Sequence, residues 1–241
     1  SGLIDMEFSP FHFNEGAFRM RMIGQLIMLK CLDEVSQYEE FEVLALNTDS
    51  IDSYIKESHL DLYNRIIKMI EAQYKVKFEQ ELIDKTVYKN INSYIQVNRE
   101  GKIKRKGLFK YKLDDKEITL GESVSELIIP KLLELKFIYD KDPWEVLNNL
   151  DKYDFHIYDF CLSGKVSKDY DIIHNSIKVQ NLNRYYASNK GPFLYKKKRG
   201  TDRNLEHLLK DSGVTLLNIY TEVPLSSRDI NTKYYYRKTM E

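Results

Sequence analysis

The chain has 241 residues and a mass of 28.6 kDa, with 42% hydrophobic and 31% charged residues, which suits a soluble globular protein of one large domain or two small ones. The 37 Lys and Arg balance 37 Asp and Glu, so a polycation that wraps nucleic acid along its whole length is excluded. No apolar run approaches the roughly 18 residues that span a bilayer, and no basic-then-apolar leader opens the sequence, so the expected location is the cytosol with no membrane partner.

The segment from Phe13 to Val35 repeats apolar residues at helical spacing, with Phe18, Met22, Leu26 and Leu29 on one stripe and Ile23 and Ile27 beside it; the spacing predicts a long, mostly buried helix. FEVLALNTDSIDSYI, residues 41–55, follows as two short apolar runs around Asn-Thr-Asp-Ser, the pattern of a hairpin whose turn residues bond their own backbone. Ser58-His59-Leu60-Asp61 has the form of a capping box, and Leu62, Ile66, Ile70 and Tyr74 continue it at intervals of four.

From Lys75 to Tyr111 the pattern changes to strands: VKFEQELI, TVYKNINSYIQV, and KIKRKGLFKY after an Arg99-Glu100-Gly101 turn. Alternation in the last places Lys102, Lys104 and Lys106 on one face and Ile103 and Arg105 on the other. A cationic row at that spacing suits a phosphate backbone, and equally a solvated strand face.

Residues 122–171 read as helical, with a cap at Ser123 to Glu126, Pro130 as a kink or first-turn proline, and Asp142-Pro143-Trp144-Glu145 as a further start signal. VQNLNRYYASNKGPFLYKKKR follows, with Asn-Lys-Gly-Pro as a turn between strands.

The balanced charge is unevenly spread. Residues 99–116 carry eight Lys or Arg against three acids and residues 178–203 eight against one, while residues 131–171 carry nine acids against six bases. Several of the 18 tyrosines fall beside the two basic clusters, a combination that suits phosphates and stacked bases. Cys31 and Cys161 are far apart, so reduced thiols are expected, and the five histidines are scattered without a zinc-binding spacing.

Four stretches, RMIGQLIMLKCLDEV, ALNTDSI, NSYIQVNREGKIKRKG and the closing pair NRYYASNKGPFLYKKKR with DINTKYYYRK, occur in an order that resembles the C-terminal portion of a family B DNA polymerase of bacteriophage or mobile-element type. The resemblance covers most of the chain. It implies an α+β fold: residues 1–116 as the C-terminal half of a polymerase palm, an antiparallel sheet with helices, and residues 117–241 as a mostly α thumb that grips duplex DNA. In such polymerases the palm hairpin carries Tyr-x-Asp-Thr-Asp-Ser. On ALNTDS, residues 45–50, Asp49 matches the second acid, the one the family uses to hold catalytic Mg2+ in a two-metal site. Two positions depart from the pattern, since Ala45 stands for the tyrosine and Asn47 for the first acid.

By the same resemblance Lys104 and Lys106 contact the primer strand, and Arg184, Tyr185 and Tyr186 of the Asn-Arg-Tyr-Tyr segment contact DNA. The family's other metal-binding aspartate, its triphosphate-binding lysine helix and its exonuclease segment have no counterpart in the sequence. The resemblance therefore implies half a palm plus a thumb that needs the N-terminal remainder of a polymerase to take up dNTP and extend a primer-template in the cytoplasm, that of a host cell if phage-encoded. The alternative is a non-catalytic nucleic-acid-binding module derived from a polymerase.

Overall fold

The structure is a computed structural model that describes residues 6–10, 12–111, 125–201, 205–219 and 222–241. The chain divides into two compact units, Ser1–Leu82 and Ile83–Glu241. The junction at 116/117 expected between palm and thumb lies outside the described residues, as does the start of the cap expected at Ser123.

In the first unit, helix α1 (Asn14–Val35) leads into strands β1 (Phe41–Leu46) and β2 (Ile51–Ile55), and helix α2 (Leu60–Tyr74) follows. β1 and β2 pair antiparallel as a two-stranded sheet, with Phe41 opposite Ile55 and an irregularity between Val43 and Ala45. The core beneath it is Phe41, Cys31, Val35, Tyr63, Ile66 and Ile70, with the Phe41 and Tyr63 rings meeting edge to face at 5.4 Å. α2 forms as its four-residue spacing predicts, but the capping box does not: a single 3-10 turn, Glu57–His59, leads into the helix and no side chain caps it. Val76 to Leu82 are not a strand; Phe78 instead packs on this core while its N–H donates to Glu71 Oε1 at 2.7 Å.

α1 corrects a second expectation. Its buried residues are Ala17, Met28, Cys31 and Val35, whereas Phe18 and Leu26 are each 58% exposed and Met22, Ile23 and Leu29 are exposed as well. Apolar residues surround nearly the whole helix, so spacing identifies the helix without selecting the face that packs.

In the second unit, β3 (Ile83–Asn90), β4 (Ser93–Asn98) and β5 (Ile103–Lys106) make a three-stranded antiparallel sheet. Helices α3 (Ile128–Tyr139) and α4 (Pro143–Leu147) come next, the latter capped by Asp142 with Pro143 in its first turn. Pro130 lies in the first turn of α3, where its missing N–H costs nothing.

Seven strands then follow: β6 (Cys161–Lys165), β7 (Tyr170–His174), β8 (Ile177–Val179), β9 (Leu182–Ser188), β10 (Leu194–Lys198), β11 (Glu206–His207) and β12 (Gly213–Leu216), before the closing helix α5 (Thr232–Met240). They form two sheets, ordered β12-β9-β6 and β11-β10-β7-β8. The expectation of a mostly α second half is thus corrected: α+β holds for the chain, but its C-terminal part is richer in strands than in helices. Between β7 and β8 the chain reverses at Asn175 and Ser176, both with positive φ, a turn that needs no glycine. Gly191 and Gly213 touch backbone to backbone, so that a Cβ on either would collide with main-chain atoms of the other segment, and Val214 N–H donates to Pro192 O at 2.9 Å.

α3 is walled on both sides. Ile128 and Leu132 belong to the core shared with the later strands, while Leu133 packs with Ile95 and Phe109 of the β3–β5 sheet region. Glu134 projects from the same helix to Arg105 of β5, which donates from Nε and Nη2 at 2.5 and 2.7 Å, and Tyr111 O–H donates to it at 2.9 Å. The Arg105 side chain is 17% and Glu134 8% exposed, so this is a buried, two-pronged pair. Both cysteines are buried free thiols, and no helix among the described residues is long and apolar enough to cross a membrane.

Two predictions follow from the packing. Removing one partner of a buried pair strands the other charge, so Glu134→Ala should cost about 3–5 kcal/mol in urea denaturation, while Arg105→Met combined with Glu134→Leu should recover most of the loss. Burial, with the bond to Glu134 adding to it, pushes the Tyr111 phenol up to about 12 from its ordinary 10, and burial also raises Tyr234 and Tyr235. Because the fold favours the neutral phenols, this contribution is complete below pH 10 and declines as pH rises towards 12. Alkaline titration of the melting temperature should show that decline, and Tyr111→Phe should make it shallower.

Candidate metal-binding hairpin and lysine strand

The hairpin is built by its turn. Asn47 N–H donates to Ser50 O at 2.8 Å, and the Asn47 side-chain amide donates to Ser50 Oγ at 3.2 Å, so Asn47 and Ser50 close the loop from both backbone and side chain. Thr48 and Asp49 are left exposed at the tip. Asp52 pairs opposite Ala45 in the ladder, back from the tip.

Asp49 alone of the residues 47–50 carries a carboxylate, and a divalent cation of the Mg2+ type takes about six oxygen ligands. Among the described residues no group of three or more His, Cys, Asp or Glu could hold a metal ion. Residue 47 supplies an amide committed to closing the turn. Residues 47–50 therefore offer one carboxylate to a metal.

The lysine strand lies in the second unit. β5 alternates as its sequence predicts: Lys104 and Lys106 are exposed, while Ile103 and Arg105 turn inward. The inward Arg105 is fixed by Glu134, and its guanidinium stands 4.8 Å from the Tyr111 ring centroid. Lys102 precedes the strand, its N–H bound to Asn98 Oδ1 at 2.8 Å in the Gly101 turn. The strand ends at Gly107, where φ is +60 and an added Cβ would strike the Asn92 carbonyl and Ser93; only glycine fits both the left-handed backbone and the close approach.

Register shows what flanks the lysines, residues that are themselves buried and back the row rather than face a ligand: Tyr94 is 5% and Gln96 4% exposed. Lys106 pairs opposite Tyr94 and Tyr94 opposite Tyr88, while Lys104 pairs opposite Gln96 and Gln96 opposite Thr86. Residues directly opposite share a face, so two rows cross the sheet. In the first, Lys106 Nζ stands 5.5 Å from the Tyr94 ring and the Tyr94 and Tyr88 rings are 5.5 Å apart. Period-two spacing places Tyr94 and Gln96 on one face of their strand, but the face they share with the lysines follows only from strand pairing.

Arg184, Tyr185 and Tyr186 are placed otherwise than expected for DNA contacts. They lie on β9, the central strand of its sheet, where Arg184 is 2% and Tyr186 3% exposed. The Arg184 guanidinium packs 4.3 Å from the Tyr158 ring, and its backbone N–H donates to Asn218 Oδ1. Tyr186 belongs to the core, and burial raises the Tyr185 phenol. Arg184 and Tyr186 are buried and Tyr185 is half-buried against the same core, so these side chains pack within the fold rather than line a surface.

No family model matches the sequence, and no curated protein matches it. The hairpin and the lysine strand thus stand on their own geometry. If β5 holds a duplex, replacing Lys104 and Lys106 by Ala weakens binding to a similar degree on every sequence and flattens the dependence of log K on log salt by roughly one to two units, read by anisotropy across a salt series. An unchanged slope would remove the strand from the interface.

Proposed function

We propose that the chain is part of a DNA polymerase resembling family B, in which β5 grips primer-template DNA and Asp49 supplies one carboxylate to a Mg2+ site completed by other segments. One observation carries this reading: an exposed carboxylate at the tip of a tight antiparallel hairpin, in a unit whose order is helix, hairpin, helix. A short closed turn holds such a carboxylate in place at little entropic cost, as a metal ligand requires. The lysine row supports it, since Lys104 and Lys106 point outward from a strand anchored through Arg105.

A second reading, a nucleic-acid-binding module that retains polymerase elements as scaffold, is favoured by Asn47. Its amide bonds Ser50 Oγ where the family pattern has an acid, leaving one carboxylate at the turn.

The two readings separate at Asp49. Asp49→Asn keeps the turn, because Asn suits the same backbone, and removes the charge. In a polymerase that contains this chain, primer extension should fall by several orders of magnitude while DNA affinity and melting temperature stay near wild type. Extension left unchanged by the substitution would reject Asp49 as a ligand and leave the binding-module reading.

A further inference from the structure

The sheet β11-β10-β7-β8 has one face on the core, where Leu194 and Ile172 are fully buried, and one face turned away from it. Pairing fixes what the second face carries. Tyr195 lies opposite His207 on one side and Ile173 on the other, and Ile173 lies opposite Lys178. Two residues further along β10, Lys197 lies opposite Asp171, and Phe193 precedes Tyr195 by two residues at the strand's entrance.

The aromatic part of this face is a connected group. Tyr195 and His207 have ring centroids 4.5 Å apart, Phe193 and His207 4.8 Å, and Phe193 is 39% exposed. Contiguous exposed rings on a sheet face mark a place for an apolar surface to dock.

The other part is basic. Arg199 Nε and Lys178 Nζ both reach Asp171 Oδ1, at 2.6 and 2.7 Å. One carboxylate is thus shared by two cations, and among the described residues no acid pairs with the exposed Lys197 on the same face. The face therefore has surplus positive charge directly beside its rings, complementary to an anionic chain of flat, apolar units.

We propose that this face binds single-stranded DNA, with unpaired bases stacking on Phe193 and Tyr195 and phosphates meeting Lys197 and the Lys178–Arg199 edge. A duplex offers its phosphates but keeps its bases stacked inside, so the rings select a strand with free bases. The assignment to DNA rests on the polymerase reading above; the assignment to a single strand rests on the sheet. It is distinct from the β5 surface, which needs only charge to hold a duplex.

The test measures binding of the full chain to an end-labelled oligo-dT of about 12 nucleotides, within the footprint of single-strand-binding sheets, and to a blunt duplex of similar length. Phe193→Ala with Tyr195→Ala should weaken oligo-dT binding at least about tenfold and leave duplex binding within about twofold. Tyr195→Trp in a Trp144→Phe background places the sole indole of the chain on the face, and its emission should be quenched by oligo-dT and not by the duplex; this decides the matter should the double variant fail to fold. A folded double variant that binds oligo-dT like wild type, or an indole emission indifferent to it, overturns the proposal. So does tighter binding of oligo-U than of oligo-dT. If Lys104→Ala with Lys106→Ala abolishes binding of both DNAs while the aromatic variants do not, the single strand lies on β5: this proposal falls and the polymerase reading stands. Failure of wild type to bind either DNA overturns both.

Discussion

The pair between Arg105 and Glu134 is the contact on which the second unit turns. β5 carries three consecutive cations, Lys104, Arg105 and Lys106, whose mutual repulsion disfavours a strand unless one is taken up elsewhere. Pleating sends the middle one inward, and α3 meets it with a carboxylate in two-pronged geometry, so the outer two remain in water on a strand that cannot rotate. Without that carboxylate, an inward arginine would be an uncompensated buried charge, and the strand would do better to detach. α3 passes the constraint on, because Ile128 and Leu132 hold the same helix against the later strands.

Charge neutrality of the whole chain conceals how the charges are distributed. Acids are spent tying down selected bases: Glu134 on Arg105, Asp159 on Lys131, Glu206 on Lys196, and Asp171 on Lys178 and Arg199. Other lysines stay outward, among them Lys104 and Lys106 on one sheet, the latter beside Tyr94, and Lys197 on another. A protein of zero net charge can in this way present cationic faces while avoiding the long-range attraction that would hold it to any polyanion.

Much of this was legible in the sequence, in proportion to how local the cause is. The hairpin at 41–55 announces itself through Asn, Asp and Ser between apolar runs, α2 through its four-residue spacing, and β5 through alternation. Arg184 was misread because a charged residue on a strand ordinarily faces water; its guanidinium instead lies against Tyr158, which is not near it in sequence. Residues 122–171 read as helix because Pro130 and Asp142-Pro143 are genuine start signals, whereas β6 and β7 are five residues each and their neighbour β8 is reached through Asn175-Ser176 rather than a glycine turn. On α1 the pattern revealed the helix and concealed its orientation, since a nearly continuous apolar surface has no preferred side. The site residues divide similarly: Asp49 is exposed at a turn that sequence defines, while the Tyr88–Tyr94–Lys106 row exists only once three strands are in register.

The contact between Gly191 and Gly213 involves no side chain, so neither hydropathy nor charge marks it. Each glycine excludes a Cβ on account of the other segment's backbone, which cannot swing aside as a rotamer can, and no second substitution nearby could make room. The two positions are therefore locked together over any course of sequence change. Since Gly191 immediately precedes the Pro192-Phe193 entrance to β10, a side chain at Gly213 would lever that strand from a distance, disturbing its outward rings without altering any of them. Conditional, heat-sensitive variants are to be sought there, at a residue that has no side chain of its own to lose.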